Sequence, residues 1–491
     1  MKQPIVAHEH AASLGETLRS LGYSETAVRD LLGDDAYATD RDDAPLGERR
    51  LPRTPLATVV RAFFLQLPVA KRDALRALGP RGVDALEATG LAEVEDDELV
   101  PHMRILPVGE LLVASDDYPS PDEDPPDFVA AYTPTSQLCG SLTPRSRAGR
   151  ALDVATGSGV LALFAARHSR HVIATDVNAR ALAYTELNAA LNGFDNIEVR
   201  RGSLFEPVDG ERFDLITCNA PYVVSPESRL TYRDAGLPAD EVSRRVVENA
   251  AGHLADGGFA TLLVSWIAVD EDALDERPLE WTDGIGCDSW ILPVWGADPL
   301  DHAASWNEPL LGDATRFGET IDTWTRYLER FGTRWVSEGA VLLHRRPGGR
   351  YTARVDEIDE DELEDAGAQV ERAFTARARL AELARARDLL ETRLVVAAQL
   401  RLEHVLEPRG GRVGVVEASV QIGEGTQSIV EASPRALEIV ASLDGTARLE
   451  DAVQTAADRL RLSNAEASRL RRDVLAFCRD LLELGALRFA S

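Results

Sequence analysis

The stretch that decides the fold runs from Ala151 to Pro226 and holds three blocks. They are Ala151–Val160 (ALDVATGSGV), Val172–Leu182 (VIATDVNARAL) and Phe213–Pro226 (FDLITCNAPYVVSP). The first is a short apolar run that breaks at Thr156-Gly157-Ser158-Gly159 and resumes as a helical pattern from Val160. Strand, glycine turn and helix together let backbone N–H groups approach a ligand closely. The second block reads as a strand ending in Asp176. That acid falls about twenty residues after the glycines, where a nucleotide-binding βαβ unit carries its ribose-binding carboxylate.

The pattern Gly157-x-Gly159-x-x-Ala162 also fits a nicotinamide cofactor. Two features argue for something else. Asp153, just before the turn, would repel a pyrophosphate but suits a sulfonium or an ammonium. The strand Phe213–Cys218 then runs into Asn219-Ala220-Pro221-Tyr222, a tetrapeptide for which a dehydrogenase has no use.

The three blocks together resemble the class I methyltransferases of the NPPY type, which methylate amide or exocyclic amino nitrogens. The well-known group they are similar to is the protein-glutamine N5-methyltransferases of translation release factors. The run Asn219–Arg245 (NAPYVVSPESRLTYRDAGLPADEVSRR) is more similar to an uncharacterised methyltransferase family of high-GC Gram-positive bacteria. The resemblance spans Asp127 to Arg346. It implies a seven-stranded Rossmann-like α/β core and S-adenosylmethionine as cofactor, with no metal. Carried onto this sequence, Asp153, Ala155, Thr156, Gly157, Ser158, Gly159 and Asp176 belong to the cofactor site. Ser203 and Leu204 fall on its adenine side, and Asn219 near its methionine end. Asn219, Pro221 and Tyr222 are the implied catalytic residues. Asn219, Ala220, Pro221 and Tyr222 would hold the substrate.

The residue types suit the chemistry. Methyl transfer is an in-line displacement, so placing a nitrogen lone pair behind the methyl carbon does most of the work. An amide or aryl nitrogen is a poor nucleophile because its lone pair is delocalised. The Asn219 carboxamide oxygen and the Ala220 carbonyl can each accept one N–H of a substrate NH2, stabilising the charge that grows on nitrogen. Tyr222 can stack on the planar group. The departure from NPPY at Ala220 keeps the backbone acceptor, and Pro221 still biases Ala220 away from the α region. The loss is about 0.4–1 kcal/mol of chain entropy. In the polar loop that follows, Tyr232, Arg233 and Asp234 could grip the substrate or pair on the surface.

At 491 residues the chain has room for about three domains. Its net charge of −29 argues against a broad phosphate-binding face. The four cysteines, Cys139, Cys218, Cys287 and Cys478, form no metal spacing. No apolar run reaches membrane length and no signal peptide stands out, so a cytoplasmic protein is expected. Residues 1–115 read as helices followed by a β-wing, a winged-helix-like α+β docking module; the wing is acidic, at Glu95-Asp96-Asp97. Residues 116–126 read as an acidic, proline-rich linker. Residues 127–348 are the expected methyltransferase domain, 349–432 a helix plus a β-hairpin, and 433–491 a second winged-helix-like domain. Within 127–348, Tyr132, Thr135 and Ser136 are candidate pocket residues. All seven tryptophans lie between Trp266 and Trp335, as a lid over the site or as packing. The expected partner is a protein or peptide carrying a glutamine- or asparagine-type side chain. The alternatives are N-methylation of an RNA or DNA base, and a non-catalytic scaffold with a methyltransferase fold.

Overall fold

A computed structural model shows the architecture; it describes residues 2–38, 41–117, 125–228, 233, 236–270, 272–348, 350–359, 363–409 and 412–490. The central sheet has eight strands: β1 Ala148–Val154, β2 Ser169–Asp176, β3 Ile197–Arg201, β4 Phe213–Cys218, β5 Leu254–Ala268, β6 Asp288–Ala297, β7 Trp335–His344 and β8 Ala353–Val355. Their spatial order is β8-β6-β7-β5-β4-β1-β2-β3. Helices α1 Val160–Ala166 and α2 Ala179–Asn192 connect β1 to β2 and β2 to β3.

Strand β1 lies between β2 and β4 and runs parallel to both, with Asp153 level with Ala174 and Thr217. The chain order reverses at this strand, the place where an open parallel sheet leaves a crevice at its carboxyl edge. Small apolar residues let the helical layer lie close: Ala151, Ala162, Ala165, Ala174 and Leu215 form one buried cluster.

One expectation about the sheet is corrected. Eight strands are present, not seven; the extra one, Ala353–Val355, pairs parallel with β6 (Ser289 with Ala353) inside the region expected to hold a helix and a β-hairpin. The segment Ala255–Gly258, with its two adjacent glycines, lies within β5. There the register shifts between Leu254 and Phe259, and Gly257 takes a φ of 86°. A bulge absorbs the two glycines without ending the strand.

The chain divides into two compact units. The first comprises Met1–Gly140, Ser146–Trp281 and Trp295–Ala340. Residues 1–115 thus belong to the same unit as the methyltransferase blocks, through contacts that no local pattern announces. Asn188 and Asn192, one turn apart on α2, hydrogen-bond the edge of the strand Leu111–Ser115 as a partner strand would. Asn188 accepts from the Ala114 N–H (2.7 Å) and donates to its carbonyl (2.8 Å). Asn192 does the same for Leu112 at 2.9 and 2.7 Å. Ahead of this, Val69–Ala70, Glu98–Pro101 and Ala92–Glu95 form a three-stranded antiparallel sheet beside the helices His8–Ser20, Glu25–Leu32 and Lys71–Thr89.

The second unit comprises Ser141–Arg145, Thr282–Val294 and Val341–Ser491. Its parts cross the boundary expected at residue 433. Strand Leu394–Val396 pairs antiparallel with Leu487–Phe489, and Gln369 on the helix Gly367–Glu382 donates to the Leu484 carbonyl (2.9 Å). The terminal strand thus takes its partner from outside residues 433–491. Four of the seven tryptophans pack in the interior: Trp266, Trp281, Trp290 and Trp324 are buried.

Candidate active site

A cavity of about 610 Å³ opens at the carboxyl ends of β1, β2, β3 and β4. The turn after β1 contributes Ala155, Thr156, Gly157 and Ser158; β2 ends on it with Asp176; Ser203 and Leu204 follow β3; Asn219, Ala220, Pro221 and Tyr222 follow β4. Arg233 completes one side. Four segments far apart in the chain meet here because parallel strands end at one edge. Asp153 and Gly159 do not line the cavity, and Tyr232 and Asp234 lie outside the described residues.

Asp153 sits beneath the site. Its Oδ2 accepts from the Thr156 hydroxyl (2.6 Å) and the Ala162 N–H (3.1 Å), and its Oδ1 accepts from the Thr217 hydroxyl (2.8 Å). Both oxygens are spent on holding strand, turn and helix together. Asp153, expected in the cofactor site, thus supports the turn from below and is not among the residues lining the cavity. Complete burial pushes its pKa up to about 6. A threonine three residues after the acid was the sequence signal for this closed turn.

Asp176 is presented to the cavity. Its Oδ2 accepts from the Gly157 N–H (3.0 Å) and its Oδ1 from the Asn178 N–H (2.8 Å), which fixes the carboxylate in place. Burial raises its pKa, against the pull of those backbone donors. Asn178 in turn caps α2 by accepting from the Arg180 N–H.

The two glycines of the turn do different work. Gly157 has φ 57° and nothing within 4 Å of where a Cβ would stand, so the space in front of it is open. At Gly159, φ 84°, a Cβ would lie 2.8 Å from Thr185 Cγ2 and 3.1 Å from Thr185 Cα. Gly159 therefore serves the close approach of α2. Ala155 (φ 55°) and Leu204 (φ 48°) are non-glycine residues held left-handed at the cavity edge. Such conformations cost on the order of 1–3 kcal/mol and gather at ligand sites.

The Asn219 carboxamide is oriented by its neighbours. Its Nδ2 donates towards the hydroxyls of Thr135 (3.2 Å) and Ser136 (3.3 Å). The donor side is thereby committed, and the oxygen remains as an acceptor. The Tyr222 carbonyl accepts from the Ser265 hydroxyl on β5. His302 Nε2 lies 3.0 Å from the Val224 carbonyl and donates to it; burial holds the His302 pKa down to about 4, so the ring is neutral. The loop after β4 is thus pinned from outside the cavity. Arg233 is buried and pairs with Glu227 (2.6 Å), whose other oxygen accepts from Trp324 Nε1 (3.2 Å).

The remaining wall comes from Phe128 to Ser136, ahead of the first block. Thr135 and Ser136 line it as expected; Tyr132 does not. This segment is anchored by Asp116, missed in the sequence because it begins a polar stretch. Asp116 is 1% exposed. It accepts from the Val129 N–H (2.8 Å), the Tyr184 hydroxyl (2.6 Å) and the guanidinium of the equally buried Arg180. Trp306 is the one tryptophan on the cavity among the described residues; nothing in its local sequence marked it out.

The arrangement offers a fixed carboxylate at one end, an open backbone turn in the middle, and an oriented carboxamide with an aromatic ring at the other. Residues 133–276 match the family described as the methyltransferase small domain. Residues 20–102 match a second family, described as a domain of unknown function. The chain is 34% identical over 163 residues to a ribosomal protein uL3 glutamine methyltransferase of Bradyrhizobium diazoefficiens, covering 30% of this chain and 51% of that protein. It is 35% identical over 129 residues to a release factor glutamine methyltransferase of Xylella fastidiosa, covering 24% and 47%. It is also 32% identical over 141 residues to a ribosomal RNA small subunit methyltransferase C of Escherichia coli, covering 28% and 37%. The chain spans about half the length of the two glutamine methyltransferases. The likeness over residues 133–276 is therefore to methyltransferases.

Proposed function

We propose that the protein transfers a methyl group from S-adenosylmethionine to a planar amide nitrogen, on a glutamine- or asparagine-type side chain of a protein or peptide. The observation that carries this reading is the orientation of Asn219 by Thr135 and Ser136 within the cavity. A carboxamide whose N–H side is already committed presents its oxygen, and that oxygen together with the Ala220 carbonyl matches the two N–H groups of a primary amide. The two glutamine methyltransferases among its relatives support the same class.

The residues present fit the donor. Asp176 would take the ribose hydroxyls, the turn Ala155–Ser158 would lie along its length where Gly157 leaves room, and Ser203-Leu204 would border the adenine. When bound, S-adenosylmethionine supplies an activated methyl group. The chain's own residues orient the nucleophile: Asn219 and Ala220 accept from the NH2, Pro221 keeps the loop extended, and Tyr222 offers its ring face. Acceptors aimed at nitrogen stabilise the charge that develops there, and no strong general base is needed. Arg233, already paired with Glu227, would shape the substrate side as a wall.

One relative acts on ribosomal RNA, and a base amino group presents the same planar NH2. The charge of −29 weighs against a polyanionic substrate. A site kept this complete weighs against a bare scaffold. The three-stranded sheet beside helices in residues 1–115, and the helices and terminal strand after Ser433, support winged-helix-like modules that read the partner. No helix among the described residues is long and apolar enough to cross a membrane, and we place the reaction in the cytoplasm. Extract incubated with methyl-labelled donor and the enzyme, then digested separately with protease and nuclease, tests the reading. Label released by protease and recovered as N-methylglutamine or N-methylasparagine supports it; label released only by nuclease refutes it.

A further inference from the structure

The second unit holds a cavity of about 760 Å³ that the proposed reaction does not use. Its walls carry Arg350, Arg354, Arg377, Arg385 and Arg479 against a single acid, Glu483. Five guanidinium groups around one hollow run against the composition of a chain with net charge −29.

Two of them are balanced. Arg354 pairs with Asp356 (2.5 Å) and Glu483 (2.9 Å), and Arg479 pairs with Glu483 (2.8 Å). Arg377 is not. It is 3% exposed, and its Nε and Nη1 donate only to the carbonyls of Glu483 (3.0 Å) and Ser289 (3.2 Å). Its guanidinium also lies over the Trp290 ring at 4.7 Å. Its Nη2 is buried and has no hydrogen-bond partner among the described residues. Burial lowers its pKa to about 10, which still leaves it charged at neutral pH. A buried cation with an uncommitted N–H is costly unless an anion meets it. Arg350 and Arg385 are exposed at the cavity. Leu380, Leu383, Leu389 and Leu475 supply apolar wall between the charges.

We propose that this cavity binds a small organic oxyanion, a phosphate ester or a carboxylate on a partly apolar body, with Arg377 as its buried anchor and Arg350 and Arg385 as its outer contacts. A cavity of this volume suits a ligand of roughly nucleotide size. A guanidinium fork suits either oxyanion.

The test is calorimetric titration of the full chain with phenyl phosphate and with benzoate, and with benzyl alcohol as the uncharged control. At least one oxyanion should bind and the alcohol should not; which one binds more tightly assigns the ligand to phosphate esters or to carboxylates. Arg377→Gln should weaken that binding about tenfold or more, the loss of one charge-assisted hydrogen bond. The double change Arg350→Ala, Arg385→Ala touches only exposed side chains, so it should fold normally while weakening binding several-fold. If neither oxyanion binds the wild type at millimolar concentration, or if the double variant binds as tightly as the wild type, the proposal is overturned. Neither outcome bears on methyl-donor binding, which the double variant should leave unchanged.

Discussion

Replacing each turn glycine by alanine should give opposite phenotypes two residues apart. Gly159→Ala places a methyl 2.8 Å from Thr185 Cγ2 and 3.1 Å from the Thr185 Cα, and the latter is backbone that cannot rotate away. Overpacking of this kind costs about 1–3 kcal/mol. The left-handed φ of 84° adds about 1–2 kcal/mol for a residue with a Cβ. Gly159→Ala should therefore lose roughly 2–5 kcal/mol of stability. Gly157→Ala carries only the conformational part, on the order of 1 kcal/mol, because nothing lies within 4 Å of the new methyl and Ala155 already adopts a φ of 55° next door. The added methyl instead enters the space where the donor is placed, and affinity should fall about tenfold or more, worth about 1.4 kcal/mol. Urea denaturation of both variants, beside calorimetric titration with S-adenosylhomocysteine, measures the two effects separately. If Gly157→Ala is as destabilised as Gly159→Ala, or binds the cofactor product as the wild type does, then the division of labour between the two glycines is wrong.

Asp116→Ala leaves Arg180 buried without its counter-charge and should cost about 3–5 kcal/mol in urea denaturation; a change below 1 kcal/mol would mean the wall segment is anchored elsewhere. Asn219→Ala should slow single-turnover methylation by roughly 10²–10³, as for loss of one preorganised polar group, whereas Ala220→Pro should retain activity because the backbone acceptor is unchanged. His302, with a folded pKa of about 4 against an ordinary 6.5, contributes stability that is present above pH 6.5 and lost as pH falls towards 4. The full effect is about 3 kcal/mol. His344, also held down to about 4, acts in the same direction. Asp153, raised to about 6, opposes both, since its contribution is lost as pH rises through that value. The difference between wild type and His302→Asn isolates the histidine: the variant should lose less stability between pH 7 and 4.5, read by thermal unfolding.

The three blocks were legible in the sequence because each is a local event. A strand gives way to a glycine turn within ten residues, an acid closes the next strand, and Asn-Ala-Pro-Tyr follows the fourth. Alternation, helical period and turn chemistry encode all of that without reference to distant parts. The parallel sheet then brings the ends of those strands to one edge, so Ala155–Ser158, Asp176, Ser203-Leu204 and Asn219–Tyr222 reach one cavity. What the sequence could not decide was which polar groups would be spent on the protein itself. Asp153 looks like a cavity residue until Thr156, Ala162 and Thr217 are found bonded to its carboxylate beneath the site. Gly157 and Gly159 look alike until Thr185 is found against only one of them. Asp116 looks like the start of a linker until Arg180 and Tyr184, more than sixty positions away, close on it. The same holds for the boundaries, because the strand Leu394–Val396 finds its partner at Leu487–Phe489. Hydrogen-bond donors and acceptors are satisfied by whatever the fold brings within about 3 Å, and sequence separation carries no information about that distance.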